Sequence, residues 1–175
     1  MSSVVISGDS SGTVSLTVPS VAGTNTATLP AATGTVMVSG NMPAFSVYQS
    51  SAQTVSGSTW TKIQFQTKEF DTSSAFDNIT NFRFQPQVAG YYQVGGQVQV
   101  GASTTTITCA IYKNGSVYKY GMNESTAASN AAISVLVYLN GSTDYVEFYG
   151  YLVIGQALTA QSTYTYFQAS MVRSA

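Results

Sequence analysis

Residues 82–100, FRFQPQVAGYYQVGGQVQV, constrain the fold more than any other stretch. Phe82 and Phe84, then Tyr92, Val94, Val98 and Val100, stand at every second position, with Gly95 and Gly96 interrupting the second run. A strand turns successive side chains to opposite faces, so this spacing buries one face of an antiparallel sheet and wets the other. Pro86 lacks the N–H that a ladder needs and ends the first run, and Gly90 supplies turn freedom ahead of the second. The same alternation continues to the C-terminus and predicts an all-β chain with nothing reactive set into its sheets.

Strands follow over residues 44–48, 59–66, 81–85, 91–100, 105–113, 117–121, 131–139, 144–153 and 163–172. Asn114-Gly115 and Asn140-Gly141 each read as a tight hairpin, because both central positions of the favoured turn take positive φ. Regular short strands with such turn signals predict a sandwich or barrel of jelly-roll type. At 175 residues the chain can bury one sizeable core.

Composition changes near Pro43. Residues 1–43 hold one charged residue, Asp9, no aromatics, and short alternating runs: Val14, Leu16, Val18; Ala27, Leu29; Val36, Val38. These runs carry too little side-chain volume for a core of their own. They read as an extended β-rich arm that orders on a partner by strand addition. Residues 44–175 read as the globular part.

Only 7% of residues are charged, against roughly a quarter in ordinary soluble domains. Solubility then rests on Ser, Thr, Asn, Gln and Gly, or on partners that cover the surface. A formal charge of −1 offers no basic field to a phosphate backbone or an anionic membrane. Nucleic acid and membrane are therefore not expected partners. The chain has no histidine, which removes Ser-His-Asp and Cys-His catalysis together with the commonest zinc ligand. The single cysteine, Cys109, lies in the apolar run ITCAIY and reads as a small core residue. The N-terminus has no signal-peptide pattern and no run approaches the eighteen or so apolar residues of a membrane span. Synthesis in a cytoplasm with work outside cells, as in a virion component, satisfies these features together.

The order of motifs is familiar. Ala44-Phe45-Ser46-Val47 opens the globular part, Phe65 follows, and Phe70-Asp71 and Phe76-Asp77 are read as a loop. Then come Phe84, Pro86, Gly90, Tyr91 and Tyr92 as F-x-P-x-x-x-G-Y-Y, Tyr112-Lys113-Asn114-Gly115, the run from Ile133 to Val146, and a closing Tyr166-Phe167-Gln168-Ala169-Ser170-Met171-Val172. Together these resemble the globular head of complement component one, subcomponent q, within the tumour-necrosis-factor-like superfamily. The resemblance spans most of residues 44–175. It implies a two-sheet antiparallel jelly roll assembling as a homotrimer, with aromatics of one sheet around the threefold. Tyr149, Tyr151, Tyr164 and Tyr166 are the candidate interface residues, since tyrosine joins apolar area to a polar tip. Residues 11–37 are similar to segments upstream of such heads in bacteriophage structural proteins, which implies a virion location. No collagen-like Gly-x-y repeat lies in residues 1–43.

The acids offer little chemistry. Asp71 and Asp77, in FDTSSAFDN, are close in sequence and form the pair that a glycosidase reading would use, and with Asn78 they are the candidate calcium ligands. The surrounding Ser-rich loop favours turn capping instead. No cofactor is implied. The leading expectation is a non-enzymatic, trimeric capsid decoration or cement protein. Its arm residues Val14, Leu16, Val18, Leu29, Val36 and Val38 would grip the major capsid protein. The alternative is a tail-fibre or receptor-binding module that contacts host glycans through loops 103–106 and 123–130.

Overall fold

The computed structural model describes all residues but 1, 2, 22, 29, 30, 32, 35, 105 and 125–127, and at 3, 103, 104, 124 and 128 it describes the backbone alone. The chain divides into two units, residues 1–34 and 35–175. In the first, β1 (Ser3–Ser7) and β2 (Thr13–Thr17) form an antiparallel hairpin. Gly12 closes its loop at φ +80°, and the Gly8 amide donates to the Gly12 carbonyl at 2.9 Å.

In the second unit, one sheet runs β12 (Ala128–Asn140), β9 (Ala89–Thr104), β15 (Tyr166–Ser174), β3 (Ala44–Tyr48) and β6 (Thr67–Asp71). The other runs β11 (Ser116–Glu124), β10 (Ile107–Lys113), β13 (Val146–Leu152), β8 (Arg83–Phe84) and β7 (Phe76–Asp77), with β5 (Thr61–Lys62) also on β13. A small pair, β4 (Thr54–Val55) with β14 (Gln156–Ala157), completes the described strands. Their named pairings are antiparallel. Each large sheet turns one face inward, as the alternation requires. Tyr92, Val94, Val98 and Val100 of β9 and Phe167, Ala169 and Met171 of β15 enter the core. Ile107, Cys109 and Ile111 of β10 and Val146, Phe148 and Leu152 of β13 meet them from the other sheet. Phe45, Phe65, Phe76, Phe84, Phe148 and Phe167 fill the middle; Phe45 stands 4.5 Å from Phe84 and 5.1 Å from Phe167 by ring centroid. Aromatic pairs at such spacing add to the area they bury.

The all-β jelly roll is as the alternation predicts, with differences in detail. Phe70-Asp71 and Phe76-Asp77 are strand residues in β6 and β7, not a loop. The expected strand 59–66 shortens to Thr61–Lys62, while Ile63 and Phe65 beyond it still enter the core at alternate positions. Asn114-Gly115 is the two-residue turn expected, with φ +52° and +79° and Lys113 facing Ser116. Asn140-Gly141 is not a hairpin: β12 and β13 lie in different sheets. Asn140 Oδ1 instead accepts the amides of Ser142, Thr143 and Asp144 at 2.9–3.0 Å, and this side-chain cap carries the chain from one sheet to the other.

Candidate functional site

Among the described residues, the carboxylates of the head are spent on its own structure. Asp77 accepts the amides of Thr80 and Ile79 at 3.0 Å each, and the amide and side chain of Asn81 at 3.1 and 2.7 Å. Those donors, led by Thr80 and Ile79, hold its carboxyl well below the usual range. Asp71 accepts Lys68 at 2.8 Å and the amides of Phe76 and Ala75 at 3.0 and 3.1 Å. Burial works against its charge, yet these partners keep its carboxyl low. Asn78 Nδ2 donates to the Gln66 carbonyl at 2.7 Å. The turn-capping reading of Asp71 and Asp77 is therefore what the geometry displays. Asp144 is held low first by Asn114 at 2.7 Å and then by Lys113 at 2.9 Å. Glu147 pairs with Lys62 at 2.7 Å and Glu69 accepts from Ser46 at 2.7 Å. Among the described residues, no three acids or cysteines gather as a metal site would need. Cys109 is fully buried, and burial pushes its thiol up to about 12, which makes it a core residue rather than a nucleophile.

What remains are surfaces. The first is on the hairpin. Its register sets Val4 opposite Leu16 and Ile6 opposite Val14, so these four side chains share one face. They are 57–64% exposed, and Val18, just beyond β2, is also open. Of the other arm candidates, Val36 and Val38 are exposed and fall with the second unit, where the intervening Met37 packs on the core. Leu29 lies outside the described residues.

The second surface is the outward face of the β12-β9-β15-β3-β6 sheet. Gln93, Gly95 and Gln97 of β9, Ser134 of β12, and Gln168 and Ser170 of β15 pave it with small or uncharged groups. Gln93 Nε2 donates to Ser134 Oγ at 2.8 Å. Exposed Phe70, Leu136, Tyr138 and Val172 lie around them. Tyr166 belongs here and lines a cleft of about 350 Å³ with Gly95, Ser134 and Gln168.

Tyr149 and Tyr151 lie elsewhere, on the outward face of the β11-β10-β13-β8-β7 sheet, because Phe148 and Leu152 at the alternate positions take the core. Tyr164 is exposed in the turn before β15. Tyr149 and Tyr151 on one outer face, Tyr166 on the other and Tyr164 in a turn thus do not form one patch. Around Tyr149 and Tyr151 gather three rings that sequence reasoning did not single out. Trp60 stands 5.4 Å from Tyr151, 5.5 Å from Tyr120 and 6.4 Å from Tyr112, and Tyr112 stacks on Tyr149 at 3.8 Å. The signal available was alternation in β10 and β13, which sends Tyr112, Tyr149 and Tyr151 outward together. Trp60, from a crossing segment, left none.

No protein-family model matches the sequence, and no curated protein matches it. Solved structures do resemble the fold. Murine APRIL superposes over 75% of this chain and 99% of its own, at 12% identity and a TM-score of 0.60. The globular domain of zebrafish complement 1qA superposes over 76% and 98%, at 16% identity and a TM-score of 0.56. The PRD1 vertex protein P5, a phage protein, superposes over 75% and 73%, at 12% identity and a TM-score of 0.54. The fold is therefore the jelly roll of tumour-necrosis-factor-like ligands and complement globular heads, as the motif order in residues 44–175 implies.

Proposed function

We propose that this chain is a non-enzymatic virion structural protein, a trimeric decoration or cement protein that braces the shell of a bacteriophage. The observation that carries the reading is the hairpin of residues 3–17. An isolated two-stranded hairpin is marginal in water, and this one turns four aliphatic side chains to solvent on one face. Such a face is suited to a groove on a major capsid subunit, with the free strand edges adding backbone hydrogen bonds. Residues 1–43 then act as the anchor and residues 44–175 as the trimerising head.

The outward face of the β12-β9-β15-β3-β6 sheet is the self-contact in this reading. The small groups Gly95 and Ser134 let copies approach closely, and its charges, Glu69 held by Ser46 and Arg173 over Tyr91, already have partners within the face. Tyr166 belongs to that contact, while Tyr149 and Tyr151 face away from it. Three linked anchors gain avidity, so modest single contacts hold. A phage vertex protein among the structures of similar fold is consistent with a virion location.

The test is removal. Particles stripped of this protein lose survival under heat or osmotic shock and regain it when the protein is added back, and copy number per particle runs to hundreds. Unchanged survival, or a dozen copies or fewer, would transfer the protein to a tail fibre. The aromatic cluster around Trp60 favours a contact with glycans in addition.

A further inference from the structure

On the outer face of the β11-β10-β13-β8-β7 sheet, five aromatic rings from four separate segments converge: Trp60, Tyr112, Tyr120, Tyr149 and Tyr151. Trp60 is held from both sides. The Ser58 amide donates to the Leu152 carbonyl at 2.7 Å, and the Ile63 amide to the Phe148 carbonyl at 2.9 Å. Between them Thr61 and Lys62 pair with Gly150 and Tyr149 of β13. The backbone that carries the ring is thus held before any ligand arrives, and Tyr112, Tyr120 and Tyr151 pack around the ring, which limits the ordering cost of binding. Ala110 and Thr108 alternate with the core residues of β10 and so point to this face, yet both are buried. The aromatic roof across β10 and β13 accounts for that burial.

The polar tips of these rings are the second observation. Two tyrosines elsewhere spend theirs within the fold: Tyr92 donates to the Val88 carbonyl at 2.6 Å and Tyr118 to the Leu136 carbonyl at 3.1 Å. Among the described residues, no hydrogen bond engages the hydroxyls of Tyr112, Tyr120, Tyr149 and Tyr151 or the Trp60 indole N–H. Burial raises the titration of Tyr112 and Tyr149, so both remain donors at neutral pH. The adjacent charges, Lys62 and Glu147, neutralise each other at 2.7 Å.

We propose that this rigid aromatic platform, with unspent hydroxyl and indole tips, binds a neutral carbohydrate chain. A pyranose has an apolar C–H face that lies on a ring and a rim of hydroxyls that exchange hydrogen bonds with the tips. An uncharged platform suits an uncharged sugar, and a sheet-borne site keeps its rings in place. The site differs from the loops at 103–106 and 123–130, parts of which lie outside the described residues. It does not rest on the shell-contact reading.

Trp60 is the only tryptophan of the chain, so its emission reports this face alone. Purified full-length protein is titrated with maltohexaose, cellohexaose and a mannan hexasaccharide. At least one is expected to shift the emission saturably, with half-saturation at about 0.1–1 mM, the weak range of a shallow site. Tyr120→Ala is expected to weaken that response tenfold or more without lowering Tm, since Tyr120 is 65% exposed. Tyr164→Ala, away from the platform, leaves it unchanged. A response that survives Tyr120→Ala overturns the placement. No saturable shift with any of the three sugars up to about 10 mM, the limit of useful affinity, overturns the proposal. So does protection of Trp60 from quenchers by a virion protein that the sugars fail to displace, which assigns the face to protein contact. Copy number on particles bears on none of these outcomes, so this reading and the decoration reading can fail separately.

Discussion

A Cβ at position 96 would meet the Tyr166 carbonyl and come within 2.9 Å of the Phe148 ring. Glycine interrupts the apolar alternation of β9 there because Phe148 and the β15 backbone already occupy the space. Gly96→Ala is therefore expected to lower stability by about 1–3 kcal/mol, the usual cost of overpacking, and a chemical denaturation curve measures it. Asp77 acts through charge instead. Its carboxyl titrates below its unfolded value of 3.8, so its contribution is complete above that value and is lost as pH falls through the folded one. Asp77→Ala should lower Tm at pH 6 by the equivalent of about 1 kcal/mol, the worth of a cap. The difference between variant and wild type should shrink as pH is taken from 5 to 2. A constant difference across that range would deny the carboxylate this part.

At the scale of elements, the two Asn-Gly pairs share a local sequence but not a structure. Asn114-Gly115 joins β10 to β11, neighbours in one sheet, and takes the two-residue turn. Asn140-Gly141 joins strands of different sheets, and Asn140 caps a wider loop. Which partner each strand finds is decided by the core, beyond the reach of the dipeptide. The β1–β2 hairpin is the opposite case, an element whose local pattern is satisfied while its apolar face stays open. Leu16→Asp puts a charge on that face. Head stability should stay within about 0.5 kcal/mol, as for an exposed site. Retention on particles should fall at least tenfold in a pull-down of assembled shells, whereas full retention would remove the hairpin from the contact.

For the whole molecule, the sandwich has two outer faces of different chemistry: one of mostly Gln, Ser and Gly, and an aromatic one roofed by Trp60. In the proposed reading the first is the face for self-association. Ser134→Arg places a long charge at its centre, beside Gly95, and should convert a trimer to a monomer in sedimentation without unfolding the head. A wild-type monomer, or a variant that remains trimeric, would send the contact elsewhere. Among the described residues, no helix is long and apolar enough to cross a membrane.

Alternation along β3, β9, β10, β13 and β15 made the all-β class, the core positions and the inert cysteine readable from residue order, because a strand's side-chain period is local and needs no partner to be seen. Asp71 and Asp77 were readable as caps for the same reason: their donors lie within five residues. The division of Tyr149 and Tyr151 from Tyr166 was not readable. It depends on which sheet each strand joins, a choice made by contacts far apart in the chain. Trp60 escaped notice because its neighbours Tyr112, Tyr120 and Tyr151 are 52 to 91 positions away in sequence, and only folding brings them within 6.4 Å.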